Sequence, residues 1–309
     1  MKFQLLNLIC TTICLMLANP TTVKAISITN NNDATNLVNT LLGTNSGITI
    51  VGTPQYRGAS AAAGTFTGGN SNANLGLDAG VILSTGKVSD AVGLFNPANV
   101  VNTRFNTPGD AALTQISTTN TFTIGTPRTA DAAILSFDFT SDTNNVYLTS
   151  IFGSQQYPIA VGSAFNDAMA FFVDGQNIAF LPGTTTPITI NTVNDGLLLT
   201  GINKSNPQFY RSNSDNNVGL QFGGFTVPIT AQLLGLTPGV HNFRIAIADT
   251  GDAGVDSAVF LQAGSLSAGI QSAPATSVPE PLTIFGTAIG GWSALRLRKR
   301  LLATNGDSN

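Results

Sequence analysis

The feature that most constrains this chain is a succession of short apolar segments, each closed off by glycine, proline, asparagine or aspartate. Ile48–Val51, Gly80–Ser84, Ala133–Phe139, Val146–Phe152, Ala168–Val173, Asn177–Leu181, Ile188–Val193, Gly224–Ile229, His241–Ala248 and Ser257–Gly264 read as strands. Several alternate apolar and polar residues, and all fall within strand length. Asp174-Gly175, between two of them, is a favoured pair for a two-residue hairpin turn. One helical stretch precedes the series: Asp33 can cap Ala34–Leu42, in which Leu37, Val38, Leu41 and Leu42 follow helical spacing before Gly43. The predicted class is mainly β, an antiparallel β-sandwich or jelly roll with a short N-terminal helix and, in the precursor, a C-terminal membrane helix.

Both ends carry export information. Lys2, the apolar run Leu5–Leu17 and Val23-Lys24-Ala25 read as a signal peptide over residues 1–25, cleaved after Ala25. Cys10 and Cys14 are the only cysteines and lie inside it, so the exported chain is expected to have no disulfide and no thiolate metal site. At the other end a polar linker, 268–277, leads into Val278-Pro279-Glu280-Pro281, an apolar run Leu282–Leu295 and a basic cluster Arg296–Arg300 within the tail 278–309. As a helix the run would span about 21 Å, short of a ~30 Å bilayer core unless the flanking arginines snorkel and the membrane thins. The basic cluster would stay cytoplasmic, making insertion transient.

That three-part order resembles a PEP-CTERM sorting signal. The resemblance implies the secretion translocon and an exosortase-type membrane protease as partners. It also implies a Gram-negative-type envelope, with the cell surface or extracellular matrix as destination. A second resemblance covers the body, taken as one domain over 26–267. Leu37–Gly47, Gly76–Gly86, Phe152-Gly-Ser, Tyr157–Phe172 and Ile247–Ala258 are similar to the choice-of-anchor L domain of bacterial surface proteins. Members of that family carry acidic residues where this chain has Gln155 and Gln156.

Between the ends the charge is sparse and acidic, with every body carboxylate an aspartate. Such a surface repels phosphate backbones, which sets nucleic acid aside as a partner. The densest acidic segment is Asp249-Thr-Gly-Asp252-Ala-Gly-Val-Asp256, between two predicted strands. Three carboxylates on one short loop repel unless a hard cation joins them, so Asp249, Asp252 and Asp256 are candidate Ca2+ ligands, with Asn166 and Asp167 as donors from a second segment. The same composition also suits a solvated turn. With one body histidine, His241, expected to be exposed on a strand, and no Gly-x-Ser-x-Gly elbow, the sequence predicts no enzyme. Tyr157 is the tyrosine best placed to meet a ligand near the acidic loop. Two functions remain: a structural or adhesive surface protein, or a calcium-assisted carbohydrate-binding module for exopolysaccharide or surface glycans.

Overall fold

The computed structural model describes residues 26–100, 102–119, 128–197 and 201–269. The signal segment, Ala25 and the sorting tail from Val278 onward lie outside them. Two antiparallel sheets make the body. The first runs β1 (Ser27–Asn30), β3 (Ala63–Thr67), β4 (Ala79–Ser84), β14 (Ser257–Gln262) and β6 (Asn145–Ser154). Two segments share the far edge of β6: β11 (Gly224–Thr226), itself joined by β10 (Tyr210–Ser212), and β12 (Ile229–Leu234). The second sheet runs β2 (Ile48–Arg57), β5 (Thr129–Ser141), β13 (His241–Thr250), β7 (Ala168–Val173) and β8 (Gln176–Asn177), with β9 (Ile188–Thr189) also on β7.

One core lies between the inner faces, as expected of a β-sandwich. Val81, Leu83, Leu148, Phe152, Val259 and Leu261 of the first sheet share it with Leu135, Phe137, Phe139, Phe171, Phe243 and Ile245 of the second. The Phe137 and Phe243 rings stack at 5.3 Å. Helix α1 (Ala34–Leu41) adds Leu37, Val38 and Leu41, all fully buried, to the same core. The Asp33 carboxylate accepts from the Asn36 N–H at 3.1 Å, as the capping pattern predicts. Gly43 serves close packing and not a left-handed turn: a Cβ there would come within 2.5 Å of the Gly264 carbonyl oxygen.

The outer faces are covered too, which explains why β4, β7 and β14 read as continuous apolar runs. Over the first sheet, Leu75, Leu77, Val218, Leu220 and Phe222 from loops pack on Phe66, Ile82, Phe225 and Phe260. On the second, a row of small residues (Ala132, Ala168, Ala170, Ala246, Ala248) admits Leu113 of helix α2 (Ala111–Ile116).

Several sequence expectations shorten or move. Asn177–Leu181 keeps only Asn177 in a strand, and Ile188–Val193 only Ile188 and Thr189. Past Thr189 one more bond in register joins the Ile190 N–H to the Asp167 carbonyl, and then the chain turns, with the Thr192 and Val193 N–H groups returning to the Thr189 carbonyl and the Thr189 and Thr192 hydroxyls bonding each other. Gly224–Ile229 splits around Pro228, which has no N–H to offer a ladder. Packing also runs beyond Ser267 into the expected linker: Ala268 is buried and its N–H donates to the Ser46 carbonyl at 2.6 Å. His241, expected to be exposed, is buried at the start of β13.

Candidate functional site

Strand pairing gathers five chain segments at one place. Ser257 opposes Ser154, Ala258 opposes Ser84, and Ala248 opposes Ala168. The residues just beyond those pairs therefore meet: Thr85-Gly86 after β4, Gln155-Gln156 after β6, Asn166-Asp167 before β7, Asp249-Thr250 ending β13, and Asp256 before β14.

Asp167, Asp249 and Asp256 are all buried there. The Asp167 carboxylate accepts from the Thr250 N–H at 2.9 Å and from the Ser257 hydroxyl at 2.6 Å. The Gln156 side chain stands near enough to ease its charge as well. Asp256 accepts from the Thr103 N–H at 3.1 Å, and Gly86 makes room for it, since a Cβ at that position would collide with its carboxylate. Asp249 differs. Neither of its carboxylate oxygens accepts a hydrogen bond, and the Gln155 Oε1, Gln156 Oε1 and Thr250 Oγ1 atoms are buried without a partner as well. The neighbouring Thr85 hydroxyl eases the Asp249 charge, against the larger effects of desolvation and Asp167, and accepts the Ser257 N–H at 2.9 Å.

Burial dominates the electrostatics. Desolvation, joined by repulsion from Asp252, pushes Asp167 up to about 7 against the hydrogen bonds from Ser257, Thr250 and Gln156. Desolvation pushes Asp256 up to about 7 despite the Thr103 N–H, with Asp167, Asp90 and Asp131 adding repulsion. Asp249 stands well above the usual carboxylate range, through desolvation first and the charge of Asp167 next. No ion pair among the described residues involves these three acids. Asp131, also buried, is fully engaged by the Phe105 and Thr107 N–H groups.

The residues singled out in the sequence divide. Asp167, Asp249 and Asp256 come together. Asp252 stays at the surface, its side chain 36% exposed, turning the loop through the Gly254 N–H and facing Arg104 at 3.8 Å. Asn166 is committed to loop backbone: its amide donates to the Ser117 carbonyl at 2.7 Å and its oxygen accepts from the Asn191 N–H at 2.8 Å. Tyr157, read as a ring for a ligand, is fully enclosed between Phe152 and Tyr210, and its hydroxyl donates to the Val193 carbonyl at 2.7 Å. Among the described residues no three His, Cys, Asp or Glu side chains converge closely enough to hold a metal by themselves. Sequence reasoning marked Gln155 and Gln156 only as amides in place of the family's acids and gave their oxygens no role, and it missed the hydroxyl of Thr250 and the space left by Gly86. The adjacent amides directly after an apolar strand were the available signal. A groove of about 1030 Å3 lies between Ile178–Thr186 and β12 and is lined by no titratable side chain.

The body is thus a mainly antiparallel two-sheet domain with an enclosed acidic cluster. A model of the choice-of-anchor L domain matches residues 23–267, and the chain belongs to that family. Membership points to a protein exported to, or held at, the cell surface. No curated protein matches. A solved structure of Xyl-CBM35 in complex with a glucuronic acid containing disaccharide is similar at 13% identity, over 58% of this chain and 99% of that one. Its TM-score of 0.19 carries no argument.

Proposed function

We propose that this is an exported protein of the cell surface or extracellular matrix with a structural or adhesive role, sorted through its PEP-CTERM-like tail. The observation that carries the reading is the order of parts. A choice-of-anchor L body occupies 23–267, and Val278-Pro-Glu-Pro281, Leu282–Leu295 and Arg296–Arg300 follow it. The translocon delivers the chain, the basic cluster halts it in the membrane, and an exosortase-type protease removes the tail before surface placement. Enclosure of the acidic cluster supports a body that bears load more than one that processes a substrate. The carbohydrate-binding alternative relied on Tyr157 and the Asp249 loop, and neither the Tyr157 ring nor the Asp249 carboxylate is exposed.

The test is made in the bacterium that produces the protein. Mature chain recovered from the surface should lack everything after the Val278–Pro281 motif by intact mass, and deleting residues 278–309 should abolish surface retention. Recovery of the tail intact at the surface, or unchanged retention after deletion, overturns the sorting route. A glycan array probed with the mature protein should stay flat, and saccharide binding lost with Asp256→Asn would favour the lectin-like role instead.

A further inference from the structure

The unpartnered oxygens of the acidic cluster share one chemical need. Asp249 Oδ1 and Oδ2, Gln155 Oε1 and Gln156 Oε1 are all acceptors, all buried, and none has a donor. With Asp249 ionised these acceptors cannot satisfy one another, and a buried acceptor left bare is costly. Gln156 stands at the cluster, since its side chain eases the Asp167 charge while its own oxygen stays bare. The set holds oxygen only, with no sulfur and no imidazole, which is the donor chemistry of a hard cation.

We infer that this end of the body is an enclosed Ca2+ site, anchored by the Asp249 carboxylate, shared by Asp167 and completed by the amide oxygens of Gln156 and Gln155. Two carboxylates balance a divalent charge, and the lack of a third in reach is met by neutral amide oxygens. Calcium takes 6–8 oxygens in flexible geometry, whereas magnesium demands an octahedron and keeps its waters, which suits an enclosed site poorly. Asp252, at the surface, and Asp256 stand outside the ligand set, since no three carboxylates among the described residues converge closely enough to share one ion. Asp249 lies on β13 and Asp167 directly precedes β7, both strands of the second sheet, while Gln155 and Gln156 follow β6 of the first. The ion therefore ties the two sheets together, which deepens the structural role proposed above without depending on the sorting tail.

The experiment uses the full chain, stripped with chelator and then supplied with CaCl2 or MgCl2. Metal analysis should find about one calcium per chain, and saturating calcium should raise the melting midpoint by roughly 5–10 °C, magnesium by far less. Asp249→Asn should abolish the rise and Asp252→Asn should preserve it. Should Asp249→Asn fail to fold, Gln156→Glu decides: an added carboxylate should destabilise the stripped chain and tighten calcium binding by about tenfold or more, since ligand charge tunes affinity. No bound calcium, a rise that survives Asp249→Asn, loss of the rise in Asp252→Asn, or Gln156→Glu binding no tighter would each overturn the assignment.

Discussion

His241 shows how much one side chain can decide. It opens β13 with Nδ1 2.7 Å from Asp174 and Nε2 2.7 Å from the Thr237 carbonyl. Both nitrogens donate in the imidazolium form, so the Asp174 bond first, then Thr237, raises the histidine above its ordinary value, and the same bond lowers Asp174. The sign follows from linkage. The histidine contribution is fully present below about pH 6.5 and is lost as pH rises through the raised value. The Asp174 contribution is present above about pH 3.9 and is lost as pH falls through the lowered one. As the only histidine in the chain, His241 gives a single ring resonance, which should titrate above about pH 6.5. Because the Asp174 side chain is half exposed, His241→Gln should cost only about 1 kcal/mol at pH 6, read by urea denaturation, and less at pH 9.

At the scale of elements, the two short helices depend on aspartate caps that carry different loads. Eight residues of α1 and six of α2 are too few to hold themselves, so tertiary packing and the caps must do it. Asp33 makes one capping bond and little else. Asp110 caps the Ala112 and Leu113 N–H groups, receives Arg244 at 2.6 Å, and meets Arg57 at 3.4 Å. Arg244 in turn lies over the Phe172 ring at 4.1 Å. We therefore expect Asp33→Ala to cost about 1 kcal/mol. Asp110→Ala should cost about 2–3 kcal/mol, since it also strands Arg244. Equal losses in denaturant titrations would mean that the ion pairs around Asp110 add nothing.

For the molecule as a whole, the buried acids set the pH profile. Asp167 and Asp256, each pushed up to about 7, and Asp249, raised well above the usual carboxylate range, hold protons in the folded state that the unfolded chain releases near pH 4. Folding is then favoured at low pH, and the advantage is lost as pH rises through the folded values. His241 pulls the same way, while Asp78 and Asp174, both lowered, withdraw support only in strong acid. In chelator the melting midpoint should be highest near about pH 5 and fall steadily to pH 8. A flat profile over that range would show that the cluster does not couple to folding. The triple variant Asp167→Asn, Asp249→Asn, Asp256→Asn should flatten it.

The sequence alone was sufficient for the class of fold, the Asp33 cap, the Asp174-Gly175 hairpin and most of the longer strands. Each rests on local facts, such as side-chain alternation, a capping carboxylate, or a turn whose residues tolerate positive φ, as Asp174 at 49° and Gly175 at 82° do. The aspartates themselves were also legible, as a dense run in a chain otherwise poor in charge. What the linear order could not settle was which of them would be buried. Asp249 and Asp252 are three residues apart, yet one is sealed in the interior and the other sits at the surface. That difference comes from partners distant in sequence: the pairing of Ser257 with Ser154 and of Ala248 with Ala168, and the approach of Thr103 to Asp256. The same contacts enclosed Tyr157 and turned Asn166 to loop backbone. Burial depends on which strand ends the sheets bring side by side, and only the folded chain brings them there.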